Sequence, residues 1–137
     1  GGGGALAPAL VQALAQDDVD PQLQAEIAWI FTFLTTREED CVKTMVAGGL
    51  AQALVRRLAG CHMREPLATP TLRAIGNLAS GPSDWGETVL AQPAFLPALL
   101  AILQAAGNRS LTKEALWVCS NLLAGANNND SSSGGGG

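Results

Sequence analysis

The 137-residue chain has no tyrosine, one histidine, three phenylalanines and three tryptophans. With 4% aromatic residues and 47% hydrophobic residues, any core must be largely aliphatic. Charged residues make up 15%, which is low for a soluble domain. Basic residues are scarcer than acidic ones, 8 against 12, for a net charge of −4. That argues against a generic nucleic-acid binder, which is normally basic, although a local basic patch is compatible with it. Three cysteines, Cys41, Cys61 and Cys119, are odd in number and far apart. This disfavours a disulfide framework or a zinc knuckle and suggests reduced thiols in an intracellular protein, in cytoplasm or nucleus.

Other absences narrow the function. No eighteen-residue apolar run lacks a breaker, so no membrane contact is expected. Gly1 to Gly4 form a glycine flank without the basic region of a signal peptide. The end, NNNDSSSGGGG, has the composition of a disordered tail over 127–137, which leaves 5–126 as the folded part. His62 follows Cys61 directly, and neighbours in a loop rarely reach the geometry of a Cys–His pair. No residues have metal-ligand spacing, and the terminal glycines lack the Lys-Ser/Thr of a phosphate loop. No enzyme, metal or cofactor is expected. The acids Glu38, Glu39 and Asp40 suit a helix N-terminus, where the dipole favours negative charge.

What the chain does have is a repeat. Three segments, AEIAWIFTFLT, TPTLRAIGNLAS and KEALWVCSNLLAG, align on Trp29, Arg73 and Trp117, each 44 residues after the last. Phe33, Asn77 and Asn121 follow at the same spacing, and Leu34, Leu78 and Leu122 one residue later. A second set, LAPALVQALA, LAQALVRRLA and FLPALLAILQA, recurs between them with a period of 44 and then 45. Two segment families in register over three copies mark a repeat architecture.

The unit is helical. Leu6, Leu10 and Leu14 stand at i, i+4, i+8, as do Leu50, Leu54 and Leu58; Leu96, Leu99, Leu100 and Leu103 keep helical spacing. Asp20-Pro21 and Thr69-Pro70 are expected to open helices, and Pro97 to lie in a first turn. Ser110 is a candidate N-cap, with Glu114 one place late for a capping box. Gly48-Gly49, Gly81-Pro82 and Gly107-Asn108 mark turns. EEDCVKTMVA and SDWGETVLAQ supply a third, shorter helix, so each unit runs short, middle, long. The expected division is a partial repeat of two helices over 5–36, then full repeats over 37–80 and 81–126, with eight helices in all. A helical unit of this length belongs to the armadillo/HEAT class. Neither end shows a polar cap. Apolar surface is expected at Leu116, Leu122 and Leu123, with adjacent repeats or self-association to cover it and marginal stability without them.

The repeated segments resemble the armadillo repeats of the importin-alpha family, adaptors that recognise nuclear localisation signals. KEALWVCSNLLAG, with Trp117 and Asn121, resembles that family's third-helix pattern. TPTLRAIGNLASG resembles its central repeats, where an Arg stands at the tryptophan position. AGGL at 47–50 resembles its turn before the middle helix. The similarity covers roughly residues 6 to 125 and is shared with other proteins carrying importin-like repeats. It implies an all-α, right-handed superhelical solenoid of three-helix armadillo repeats.

On each long helix, residues at i, i+3 and i+7 share a face. Glu114, Trp117 and Asn121 form one stripe, Glu26, Trp29 and Phe33 another, and Pro70, Arg73 and Asn77 the third. Side by side they make a ladder along a concave surface. An Asn amide has donors and an acceptor for an extended peptide's backbone. A Trp wall holds the stem of Lys or Arg and attracts its cation, and a nearby Glu adds opposite charge. The resemblance implies the same mode of holding basic peptides. Only the third stripe carries both Trp and Asn. Phe33 leaves the first without a backbone clamp, and Arg73 repels cations and favours an acidic or carbonyl partner. In the family such an Arg separates two peptide sites. The expected role is therefore a non-enzymatic module binding an extended peptide, with a nuclear localisation signal as one candidate. The alternative is a structural scaffold segment without basic-peptide binding. In that reading Trp29 and Trp117 are core, Asn77 and Asn121 satisfy neighbouring backbone groups, and Glu26 and Glu114 are solvated. Trp85 is expected to pack a short helix, and Arg56-Arg57 to lie on a solvated convex face.

Overall fold

Prolines, glycines and short polar residues cut the chain into helices whose apolar faces must then find one another. The computed structural model describes residues 3–105 and 107–134, with side chains outside 3, 83 and 126–134. Among the described residues there are eight helices and no strand: α1 (Gly3–Ala15), α2 (Pro21–Leu34), α3 (Glu39–Ala47), α4 (Leu50–Gly60), α5 (Glu65–Ala79), α6 (Ser83–Leu90), α7 (Phe95–Gln104) and α8 (Arg109–Gly134). None is long and apolar enough to cross a membrane.

Local chemistry sets the helix starts. Pro21 opens α2, and the Asp20 carboxylate accepts from the Gln22 N–H at 2.9 Å. Glu39 and Asp40 occupy the first turn of α3. Gly49, at φ +100°, turns the chain from α3 into α4, a conformation that favours glycine. Two starts differ from expectation. α5 begins at Glu65, with Pro66 in its first turn, and Pro70 lies inside it. The earlier proline already provides a start without a lost hydrogen bond. α8 begins at Arg109, and its cap is Asn108, whose Oδ1 accepts from Leu111 N–H at 3.0 Å; Ser110 lies within the helix. The backbone of α8 also continues to Gly134, past the boundary at 126. Extending an existing helix adds a hydrogen bond for each residue ordered, so composition alone misplaces this limit. Residues 135–137 lie outside the described residues.

The helices stack in layers. In one, α2 packs on α5 and α5 on α8; in the other, α1 packs on α4 and α4 on α7. The short helices close the edge, α3 against α1 and α4, and α6 against α4, α5, α7 and α8. This is an all-helical, armadillo-type solenoid. The core is aliphatic apart from Phe31, Phe95 and Trp85. Trp85 is buried as expected, over Gly81, where an added Cβ would lie 2.5 Å from its ring. Leu122 is buried, contrary to expectation, because it reaches back to Gly86 of α6. Leu116 and Leu123 are exposed as expected.

Two buried polar side chains hold the end of α1, Gln24 from α2 and Arg57 from α4 of the next repeat. The Gln24 Nε2 donates to Gln16 O at 2.6 Å and shares its other N–H between the carbonyls of Ala13 (3.2 Å) and Leu14 (3.3 Å) at the end of α1. Arg57 is buried rather than solvated: its Nη1 donates to Leu14 O (3.1 Å) and Gln16 O (2.9 Å), and its Nη2 to Asp17 Oδ1 (3.0 Å). These donors meet carbonyls that α1 leaves unpaired at its end, which explains why a charge is tolerated inside. Arg56 stays exposed and also pairs with Asp17.

Replacing Arg57 by Met should lower unfolding free energy by about 2–3 kcal/mol, read from urea unfolding, because the end of α1 keeps Gln24 but loses the Arg57 donors, while Asp17 keeps Arg56. Hydrogen bonds from Arg56 and then Arg57 hold the Asp17 carboxyl below the usual carboxylate range. Its contribution is complete above that range and is lost as pH falls through the depressed folded value. Asp17→Asn should flatten the acid side of a stability-versus-pH curve; an unchanged acid limb would remove Asp17 from that role.

Candidate functional site

The long helices α2, α5 and α8 form one layer whose open face carries the three stripes, except for Pro70, which is buried. Trp29 and Trp117 are both on it, 41% and 40% exposed, so neither is a core residue. Their neighbours Ile27, Phe31 and Val118 point inward and are buried. Glu26 and Phe33 are exposed on the same face of α2.

Gly76 seats Trp117. A Cβ at Gly76 would lie 2.2 Å from the Trp117 ring, so the indole rests against bare α5 backbone. In the preceding copy the matching position is Thr32, whose hydroxyl donates to Pro70 O at 2.8 Å and Ala28 O at 2.9 Å.

The two asparagines are engaged across the junctions between helices. Asn77 Nδ2 donates to Thr32 O and to Thr35 Oγ1, both at 3.0 Å, which uses both of its N–H groups. Asn121 Nδ2 donates to Gly76 O at 3.0 Å. Asn121 therefore keeps one N–H and its Oδ1 for a ligand, whereas Asn77 keeps only its Oδ1.

Arg73 already has partners within the chain. Its Nη2 lies 2.9 Å and its Nε 3.0 Å from Glu114 Oε1, and its guanidinium carbon sits 5.5 Å from the Trp29 ring centroid. The side chains of Arg73 and Glu114 are 46% and 17% exposed, so the pair is worth at most about 1 kcal/mol to stability. Its effect on the surface is larger. Arg73 does not await an acidic partner, and Glu114 is not a solvated charge: they neutralise each other, and Arg73 covers the Trp29 wall. Arg37 covers Phe33 in the same way, 3.9 Å from its centroid. Glu26 has no such pairing. Among the described residues, no side chain places a cation over the Trp117 wall.

Gly76, Thr32 and Arg37 escaped the sequence reading. A glycine inside a helix is the one signal that could have found Gly76, because its cost in a helix calls for a packing reason. Cys61 is buried, its Sγ contacts Leu58 O, and burial pushes its thiol up, away from the reactive thiolate. Among the described residues no group of three His, Cys, Asp or Glu could hold a metal ion.

Comparison with known proteins agrees with the repeat. The chain is 28% identical over 118 residues to importin subunit alpha-1a of Oryza sativa subsp. japonica, covering 86% of this chain and 22% of that one. It is 32% identical over 111 residues to importin subunit alpha-9 of Arabidopsis thaliana, covering 78% and 21%. The chain thus spans about a fifth of the length of these curated relatives. A crystal structure of an engineered protein superposes with a TM-score of 0.72 at 23% identity, over 84% of this chain and 44% of the other. That likeness concerns the fold. No family model matches the chain.

Gly76→Ala tests the seat. The helix gains about 0.5–1 kcal/mol from alanine, but the indole loses its place, at about 1–2 kcal/mol of burial. The expected outcome is a red-shifted tryptophan emission with no rise in melting temperature. Unchanged emission would mean that Trp117 does not depend on Gly76.

Proposed function

Because this chain is an importin-alpha-like armadillo-repeat protein, we propose that it is a non-enzymatic protein-binding module. On this reading it holds an extended peptide along the open, concave face of α2, α5 and α8, in cytoplasm or nucleus. Trp117 and Asn121 form the principal subsite, with Glu114, Asn77, Arg73, Trp29 and Glu26 lining the rest. The observation that carries this reading is that Trp117 presents an exposed, uncovered indole beside an Asn121 with one donor and one acceptor unengaged. A peptide backbone needs one donor and one acceptor from the same amide to be held in register. The indole then takes the stem and cation of a Lys or Arg. A basic transport signal in importin-like import is the leading candidate for such a peptide. One basic side chain is accommodated at Trp117, while Arg73 excludes a second from Trp29.

A second reading is favoured by a specific observation: both asparagine amides and the Arg73–Glu114 pair bridge successive long helices. In that reading they hold the stack together, and the chain is a scaffold segment.

Titration of the purified chain with a lysine-rich extended peptide, followed by tryptophan fluorescence at two salt concentrations, separates the two. Peptide binding predicts saturable, salt-weakened affinity that Asn121→Ala lowers about tenfold, the equivalent of one to two hydrogen bonds. Trp117→Ala should abolish binding while the chain stays folded. If no peptide binds the folded wild-type chain, or if Trp117→Ala unfolds it, the scaffold reading stands instead. Arg73→Ala should act in the opposite direction. It frees Glu114 and the Trp29 wall, so affinity for a peptide with two separated basic residues should rise about three- to tenfold. A fall in affinity would show that Arg73 supports the groove rather than filling it.

A further inference from the structure

Arg37 has no counterpart in the repeat. At the same register the next two copies carry Gly81 and Gly125. Both glycines answer to packing. Gly81 lies beneath the Trp85 ring, and an added Cβ at Gly125 would stand 3.5 Å from Ala79 O. In the first copy Cys41 stands in the register of Trp85 and is exposed, so no large ring presses on residue 37. The fold makes no demand for a cation there. The guanidinium is held but not spent. Its carbon sits 3.9 Å from the Phe33 ring centroid, and a guanidinium held over a ring keeps its N–H groups for a bidentate partner. Among the described residues no carboxylate forms an ion pair with Arg37, whereas Arg56, Arg57 and Arg73 are each paired. Arg37 lines a cleft of about 340 Å³ with Thr36, Glu39, Asn77, Ser80 and Trp85, between the ends of α2 and α5 and the starts of α3 and α6. All four walls belong to this chain, so the cleft is not an end of the stack. Its hydroxyl and amide donors are used internally: Thr36 Oγ1 on Phe33 O, Ser80 Oγ on Asn77 O, and both Asn77 N–H groups on Thr32 and Thr35. The one acid lining it, Glu39, sits in the first turn of α3, where the helix dipole favours it. Arg37 is the charged donor left for a ligand.

We infer that Arg37 takes an acidic side chain, carboxylate or phosphate, of the same extended peptide whose basic residue lies on Trp117. The inference rests on the peptide-binding reading and names the class of peptide: a mixed-charge segment, basic over α8 and acidic over α2. The α2 half of the face selects against a run of basic residues, because a guanidinium already lies over each of its aromatic rings, Arg73 over Trp29 and Arg37 over Phe33. Of these two, Arg73 is neutralised by Glu114 and only Arg37 keeps its charge for a partner. Helix packing sets the spacing. Packed helices lie about 8–10 Å apart, so α8 to α2 is two steps, about 16–20 Å. An extended peptide advances about 3.3 Å per residue, which puts the acid about five or six residues from the base.

Fluorescence titration with a set of extended peptides tests it. Each peptide carries one lysine and, about six residues away, alanine, glutamate, phosphoserine or a second lysine; each is made in both sequence directions. Glutamate or phosphoserine should tighten binding about three- to tenfold over alanine, and the second lysine should weaken it. Glutamate moved next to the lysine should lose the gain. Arg37→Ala should erase the difference between the glutamate and alanine peptides, and Arg37→Glu should reverse the order, with the second lysine preferred. Residue 37 is exposed in a loop, and circular dichroism checks that each variant is folded. A gain for phosphoserine alone assigns the position to phosphate; a gain for both assigns it to acidic side chains in general. If the alanine peptide binds and neither anionic peptide gains, the inference is overturned while the peptide-binding reading stands. A gain that survives in Arg37→Ala also overturns it. If no peptide of the set binds the folded chain, the peptide-binding reading fails and this inference with it.

Discussion

Everything in this structure depends on the close approach of successive long helices across a 44-residue shift. A side chain on each later helix reaches back to a backbone carbonyl on the earlier one: Asn77 to Thr32, Asn121 to Gly76. Thr32 reaches forward to Pro70. Carbonyls inside a helix already accept one bond, and their second lone pair is available only to a donor brought very near. Such bonds therefore set the distance between helices. At the second junction the approach is tight enough that only glycine fits beneath Trp117. The position and exposure of the indole follow from that spacing.

The same junctions decide the electrostatics of the open face. Long side chains on one helix lie over the next, so Arg73 of α5 reaches both Trp29 of α2 and Glu114 of α8. A repeat protein that presents one stripe per helix is usually pictured as a row of independent subsites. Here the middle stripe spans its neighbours and takes one wall and one acid out of use. Differences between copies decide the chemistry this face exposes more than the repeat itself does. Phe33 for Asn, Arg73 for Trp and Gly76 for Thr or Ser make three unlike stripes from one template.

Much of the fold was legible in the sequence because helical periodicity and repeat spacing survive without knowledge of any contact. Eight helices, the order short, middle, long, and the turns at Gly49 and Gly107 follow from residue spacing and backbone preference. The errors have local causes. Pro66 competes with Pro70 for the start of α5, and both suit a first turn. Asn108 and Ser110 are both good caps, and the choice depends on where the chain leaves the previous turn. Arg57 reads as solvated in the sequence because a charged side chain usually belongs in water. Its burial requires the carbonyls of Leu14 and Gln16, which lie more than forty residues away.

By itself, the sequence determined the period, the helices and which residues recur at matching positions on them, since these follow from 3.6-residue geometry and an internal repeat. Only the tertiary structure decided what each of those residues is free to do. Whether an Asn amide has a spare proton, whether a Trp wall is bare or covered, and whether a carboxylate is already paired all depend on groups a repeat away. Those distances are set by how closely two helix backbones approach, and at the α5–α8 junction the missing Cβ at Gly76 lets Trp117 lie against the backbone.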